Sequence, residues 1–486
     1  MLYNSTRGGA APVSSARAIV EGLAPDGGLY TMAPGDMPRL NWRALADLDY
    51  PSLAAKVLSA LLPDFTEAEA KALVEKAYRG KFTAPQITPL TDTGSDLFLE
   101  LYHGPTSAFK DVVLCLLPWL MTASAQKIGT AEDILILTAT SGDTGKAALE
   151  GFRDVDGIRI LVFYPRNGVS AVQRAQMVTQ TGGNVKVCAV EGNFDDAQTG
   201  VKQIFEASPA GLSSANSINI GRLVPQVVYY FAAYYAAVRA GRIQMGDRLN
   251  FCVPTGNFGD ILAGFLAGEL GLPVGKLICA SNANNVLTDF IRTGRYDRRR
   301  PFHKTLSPSM DILISSNLER LLYLMSGGDS ALVRSLMEQL KTEGWYQVPE
   351  ALLAKIRDRF EAYCCGDAET QTAIARVWRE QHYLIDTHTA VAWQASEAFG
   401  HDRGPTVILS TASPYKFPAA VGSALDLACP GDEFDLMDAL EQTTGVPMPG
   451  NLRGLRERPV LHRDCVAPAD MPAYVLARKE ENPWTR

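Results

Sequence analysis

Apolar residues recur along this chain with two different periods. Over roughly the first ninety residues they follow helical spacing, in stretches such as WRALADLDYPSLAAKVLSALL and TEAEAKALVEKAYRG, separated by turns that contain Pro and Gly. From about residue 96 the pattern becomes one of short, β-rich apolar runs, most of them followed by a helical segment. DILILTA (133–139) precedes TGKAALEGF, IRILVFYP (158–165) precedes VSAVQRAQMVTQ, and NVKVCAV precedes FDDAQTGVKQIFEA. RLNFCVP (248–254) leads into FGDILAGFLAGEL, and KLICAS (276–281) and PTVILS (405–410) read as further strands. Strands apolar on both faces and alternating with helices predict an α/β fold, with mainly parallel sheets covered by helices on both sides. Residues 283–350, rich in Ser, Asn and Arg, read as irregular, and the proline-containing tail after about 440 reads as surface loops and short helices. These patterns divide the chain into a mostly helical N-terminal segment (1–92), an α/β unit (93–240), a larger α/β unit (241–440) and a C-terminal tail (441–486).

Composition narrows the function classes. A net charge of -7 argues against a general nucleic-acid binder, which needs clustered cations for phosphate contacts. The one basic cluster, RTGRYDRRR at 292–300, reads as a solvated loop. The opening MLYNSTRGGA has no apolar run after its charge, so no secretory signal is expected. The longest apolar stretches, VVLCLLPWLM and VVYYFAAYYAAV, are too short to span a bilayer, and a soluble, cytoplasmic protein is expected. Eight cysteines contain no CxxC pair and six histidines no HExxH motif, so reduced thiols and no metal site are expected.

Candidate chemistry begins with HGPTSAFKD (103–111), where Lys110 stands at the head of an apolar run. Alone, it is either a solvated helix residue or an amine that must be uncharged for chemistry. Three strand ends carry loops suited to a ligand, since ligands of open parallel sheets bind at the carboxyl ends of strands. TATSGDTGKAA (138–148) offers hydroxyls and free N–H groups, although its spacing is not that of a Walker loop. In VPTGNFGD (253–260), Gly256 and Gly259 allow close backbone approach to a ligand ahead of a helix N-terminus; a tight strand–helix turn explains it equally well. ILSTASPYKF (408–417) offers the neutral hydroxyls of Ser410 and Thr411, which fit a pyridine nitrogen or a helix N-cap. Taken together with the lysine, these parts fit a phosphorylated aldehyde cofactor bound through an amine.

The motifs HGPTSAFKD, TATSGDTG, NSINIGR (216–222), PTGNFGD and STASPYKF, in this order and with YNSTRG near the start, closely resemble those of the threonine synthase family. That family belongs to the tryptophan-synthase-β-like, fold type II enzymes that use pyridoxal 5′-phosphate (PLP). The resemblance runs from Tyr3 to about Phe417. It implies two fold type II domains behind an N-terminal segment, and PLP held by Lys110. It places Asp143 near the PLP 3′-oxygen, Gly256, Asn257, Phe258 and Gly259 around the cofactor phosphate, and Thr411, with Ser410 as a neighbour, at the pyridine nitrogen. Ser141, Thr144, Ser217 and Arg222 match positions for the substrate phosphate; Asn216 and Asn219 share their motif, and Lys304 is a looser candidate. Ser217 and Arg222 can act together only if the backbone between them is not a continuous helix. His103 is expected to orient rather than to act as a base.

Two positions depart from the pattern: Ser413 stands where the family usually has His, and Gly221 where Ser is common. The loss at 413 removes an imidazole near the cofactor. The implied reaction converts O-phospho-L-homoserine and water to L-threonine and phosphate, a carbon–oxygen lyase reaction with a small-molecule substrate. The alternatives are another fold type II lyase acting on a phospho-amino acid such as phosphoserine or phosphothreonine, or a non-catalytic relative. No membrane or nucleic-acid partner is expected, and the chain is expected as a monomer or homodimer.

Overall fold

The computed structural model describes residues 1–130, 134–140, 142–207, 211–428 and 431–481. Two sheets organise them. The larger has six strands in the order Phe360–Cys364, Val274–Ser281, Leu249–Pro254, Thr406–Ser410, Leu97–Glu100, Leu90–Asp92. Its neighbours run parallel except at one edge, where Leu90–Asp92 is antiparallel to Leu97–Glu100. The smaller has five strands, all parallel, in the order Asp464–Val466, Val185–Val190, Ile158–Pro165, Ile134–Ala139, Leu212–Ser213.

Every residue of Ile134–Ala139 and Leu249–Pro254 is buried, as expected for central strands covered on both faces. The strands read from apolar runs are all present. Those the pattern missed are short: Leu97–Glu100, Leu212–Ser213 and Asp464–Val466 have two to four residues, too few to show a period, and the edge strand Phe360–Cys364 has five. Both ends of the chain return to the sheets. Leu90–Glu100 precedes the lysine motif yet lies in the larger sheet, and Asp464–Val466 extends the edge of the smaller one. The tail holds a short helix as expected, but it also packs inward: helix Met471–Glu480 buries Met471 and Val475 against Ala197 and Val201.

The stretch WRALADLDYPSLAAKVLSALL is not one helix. A 3-10 turn, Trp42–Leu45, gives way to helix Tyr50–Leu61 because Asp49 accepts from the Ser52 N–H (2.9 Å) and Pro51 follows at the start. Helix Glu67–Tyr78 opens on a capping box of Thr66 and Glu69. Tyr50, Val57 and Leu61 share one core with the buried tyrosines of helix Ile220–Arg239.

Residues 283–350 are also more regular than their composition predicts. Helices Val286–Thr293, Leu318–Met325 and Ser330–Thr342 form there, and Arg295–Asp297 pairs antiparallel with Trp345–Gln347. Val286, Leu287, Phe290 and Ile291 make the apolar stripe of the first of these helices. The basic cluster lies in this paired region rather than in a free loop, with Arg295 and Arg299 both bonded to Asp297 and Arg300 to Asp289. The seven described cysteines are unpaired. No helix among the described residues is long and apolar enough to cross a membrane. Asp96, Glu397 and His401 bring one potential ligand atom each within 4.8 Å of one another, but Asp96 is already bonded to Gln381 and Trp393.

Candidate active site

The lysine motif ends in a short helix, Lys110–Leu114. Asp111 pins the loop before it by accepting from the Thr106 N–H (2.8 Å) and hydroxyl (2.6 Å). A Cβ on Gly104 would meet the Asp111 Cβ at 2.4 Å, so the turn requires glycine there. The loop is stitched to the end of strand Thr406–Ser410: Phe109 N–H donates to the Thr411 carbonyl (2.8 Å) and Ser413 N–H to that of Ser107 (3.1 Å). Two motifs some three hundred residues apart thus form one surface.

Lys110 is 8% exposed. Its Nζ lies 3.5 Å from Ser309 Oγ, 3.9 Å from Asp143 Oδ2 and 4.6 Å from the centre of the Phe109 ring. Burial pushes its pKa down to about 8; Asp143 opposes the shift, and Arg222 and Lys416 add to it. This environment excludes the solvated-helix reading.

Asp143 begins helix Asp143–Phe152 and is buried. Its Oδ1 accepts from Lys416 Nζ (2.9 Å) and Gln173 Nε2 (3.0 Å). Burial alone would raise the carboxyl pKa, but Lys416 and Lys110 outweigh it and hold the group well below the usual carboxylate range. Lys416 is fully buried, and its ammonium is satisfied by Asp143, the Thr106 carbonyl (2.9 Å) and Gln176 Oε1 (3.0 Å). Thr144, in the first turn of the same helix, is half-buried, and Ser141 lies outside the described residues.

The turn Gly256–Phe258 joins strand Leu249–Pro254 to helix Gly259–Glu269. Phe258 sits in the left-handed region (φ 60°), strained for an aromatic residue, and provides no side-chain cap. The first N–H groups of the helix therefore face the turn without a side-chain acceptor. Gly256 is required by protein rather than by ligand, since a Cβ there would lie 2.9 Å from the Ser309 carbonyl oxygen. Asn317 Nδ2 donates to the carbonyls of Asn257 and Ser217 (both 3.1 Å), joining this turn to the NSINIGR motif.

In that motif the helix begins only at Ile220, so Ser217 precedes it and the backbone condition is met. Arg222 is 6% exposed. Nη1 donates to the Ala215 carbonyl (2.8 Å), while Nε has no hydrogen-bond partner and no carboxylate pairs with the guanidinium among the described residues. Burial lowers its pKa to about 10. Ser217 is half-buried, its Oγ 3.4 Å from Ser316 Oγ. Asn219 is committed elsewhere: Oδ1 caps the helix through Gly221 N–H (2.8 Å) and Nδ2 donates to the Ile19 carbonyl (2.9 Å). Lys304 is exposed, and no hydrogen bond or ion pair joins it to these residues among those described. Thr411 is buried, and Ser410 Oγ lies 3.1 Å from Thr389 Oγ1. His103 is held between Glu100 (2.6 Å) and Thr83 (3.2 Å).

Three residues escaped sequence reasoning. Lys416 is one. The others are Ser309, next to Lys110, and His388, whose Nε2 accepts from the Ser309 N–H (3.1 Å) and whose Nδ1 lies 2.7 Å from Asp386. The His388 ring packs 5.0 Å from that of Phe417, so an imidazole does border the loop in which Ser413 replaces the usual histidine. The visible signal was an Asp two residues before a His at a helix start, DTHTA.

A buried amine poised toward its neutral form, an ionised carboxylate beside it, an uncapped helix N-terminus and a neutral hydroxyl at a strand end fit a phosphorylated aldehyde ring. Comparison with known proteins agrees. Residues 83–411 match the family described as Pyridoxal-phosphate dependent enzyme, with Threonine synthase N terminus matched by 2–78 and Threonine synthase, C-terminal by 389–461. The fold and site are those of a PLP-dependent enzyme of fold type II. Threonine synthase of Pseudomonas aeruginosa is 40% identical over 460 residues, covering 92% of this chain and 96% of that protein. Human Threonine synthase-like 1 is 41% identical over 432 residues, but the chain spans only 58% of its length. Among solved structures, PLP-bound threonine synthase from Brucella melitensis superposes with a TM-score of 0.88 at 37% identity, covering 99% of this chain and 100% of that one. The yeast enzyme gives 0.88 at 32% identity, with coverages of 99% and 98%. The chain belongs to the threonine synthase family.

Proposed function

We propose that the chain converts O-phospho-L-homoserine and water to L-threonine and phosphate. The observation that carries this reading is Arg222, a buried guanidinium with an unpartnered Nε, close enough to Lys110 for its charge to depress the lysine's pKa. A buried cation without an anion costs several kcal/mol, roughly, and a phosphate ester supplies the missing partner with matching fork geometry. Ser217 and Thr144, both half-buried, add hydroxyl donors. The threonine synthases named above support the same substrate class.

PLP, when bound, supplies an electron sink that stabilises negative charge at the substrate Cα. The remaining work falls to the chain. Lys110 would hold the cofactor through its aldehyde and, when its amine is free, would accept and return protons. A pKa near 8 leaves a useful fraction of its amine neutral in mildly alkaline solution. Lys416 keeps Asp143 ionised at the position assigned to the 3′-oxygen. Thr411 would offer an uncharged hydroxyl to the ring nitrogen, and the Gly256–Gly259 turn would hold the cofactor phosphate. Arg222 retains the substrate phosphate until it leaves Cγ, after which water adds at Cβ. Asn219 serves this site by capping the helix that carries Arg222.

The test is turnover of O-phospho-L-homoserine with threonine and phosphate both quantified. Equal amounts of the two are expected. A ketoacid and ammonia without threonine would replace this reading with elimination from a phospho-amino acid.

A further inference from the structure

We propose that Asp386 and His388 form a positioning device for Ser309, and that Ser309 in turn fixes the direction of the Lys110 amine. The inference rests on Lys110 being the cofactor lysine. Asp386 is the N-cap of helix Thr387–Phe399 and is fully buried. Its carboxylate accepts from the N–H groups of His388 and Thr389 (3.0 Å each) and from the Thr389 hydroxyl, and lies 2.7 Å from His388 Nδ1. With Nδ1–H donated to a carboxylate, Nε2 is left as an acceptor, and the Ser309 N–H fills it at 3.1 Å. Both ring nitrogens are thereby occupied. His388 has no free position from which to exchange a proton with substrate, so its action runs through Ser309.

Ser309 lies in the 3-10 turn Pro308–Met310. Its carbonyl backs directly onto Gly256, where no side chain would fit, and its N–H is gripped by His388. What remains free is the hydroxyl, 3.5 Å from Lys110 Nζ and the sole hydrogen-bond partner of that nitrogen among the described residues. The charged groups that act on Lys110 are Asp143, Arg222, Lys416 and Asp111. Asp143 is itself fixed by Lys416, so the amine sits between a fixed carboxylate and a fixed hydroxyl. A lysine has a long flexible stem, and one that must first join an aldehyde and then move protons gains from having its lone pair aimed. A neutral imidazole does this without adding charge to a site that already holds three cations.

The test uses full-length, PLP-loaded enzyme with the variants Ser309→Ala, His388→Asn, His388→Gln and the double variant Ser309→Ala/His388→Asn. Gln keeps an acceptor near the Nε2 position, whereas Asn keeps only a donor near Nδ1. Ser309→Ala and His388→Asn should each lower kcat about 10- to 100-fold with little change in KM, and shift the pH midpoint of the bound-PLP absorbance in the same direction. His388→Gln should keep kcat severalfold above His388→Asn, and the double variant should be no worse than the weaker single variant. An unmoved kcat and midpoint in Ser309→Ala, equal losses in Gln and Asn, or additive losses in the double variant would each overturn the proposal. A wild-type protein with no PLP absorbance would instead remove the assignment of Lys110 on which it stands.

Discussion

A lysine in water holds its proton to about pH 10.4, and Lys110 releases it near 8 because burial costs the charged form more than Asp143 returns. Two consequences follow for the cofactor-free protein. Acylation of Lys110 by an amine-reactive reagent should rise with pH through a midpoint near 8, read by mass spectrometry of the modified peptide; a midpoint above 10 would contradict the burial argument. Between 8 and 10.5 the folded protein binds fewer protons at this site than the unfolded chain, so this group makes stability rise with pH across that window. Lys416 carries the opposite lesson. Replacing it with Met leaves the Asp143 charge buried without its main partner, and urea unfolding should show a loss of about 3–5 kcal/mol, largely recovered in the double variant Lys416→Met/Asp143→Asn. Lys110 and Arg222 were legible because their motifs are distinctive. Lys416 and His388 were not, since lysine and histidine are ordinarily surface residues and only the fold reveals these two as buried. Asn219 shows what a motif leaves unsaid. Membership of a binding motif does not say whether an amide is already spent on a cap.

At the scale of elements, the three strand-end loops could be read in advance because glycines and small hydroxyl residues directly follow buried apolar runs. What could not be read was their joining: the lysine loop and the 411–413 loop exchange backbone hydrogen bonds that no local pattern encodes. The helix that begins at Asp143 depends on a similar contact. Gly142 has φ 147°, and a Cβ there would come within 2.4 Å of Gln173 Nε2, the group that donates to Asp143. Ala at this position is strained and must push Gln173 away. Gly142→Ala should lower stability by about 1–3 kcal/mol and weaken PLP binding, measured by thermal melting and by a fluorescence titration. Melting that falls while PLP affinity stays constant would mean that Gln173 supports the helix and not the carboxylate.

Across the whole molecule, helical periodicity announces the N-terminal segment but not its reach into the site. That reach runs through Arg320, fully buried, which donates through Nε to the Tyr30 carbonyl (3.0 Å), and through its other nitrogens to the Ile218 carbonyl and Asn317 Oδ1. Asn317 holds the carbonyls of both Ser217 and Asn257, so one guanidinium links the paired strands Tyr3–Ser5 and Tyr30–Met32 with the NSINIGR motif and the turn at 256–258. Next to it, Glu319 binds the Thr6 hydroxyl (2.6 Å) and the Arg7 guanidinium (2.9 Å), fastening the same helix start to the same segment. Burying Arg320 has a cost, visible in a pKa lowered to about 10. Three hydrogen bonds from a charged donor, about 1.5–3 kcal/mol each, exceed that cost and leave unpaired buried carbonyls if removed. Arg320→Leu should therefore destabilise the protein by about 2–4 kcal/mol in urea unfolding. It should also raise KM for O-phospho-L-homoserine severalfold with a smaller change in kcat, because the loop carrying Ser217 loosens while Lys110 keeps its partners. Lower stability with an unchanged KM would mean that the N-terminal segment props the fold without shaping the substrate-phosphate loop.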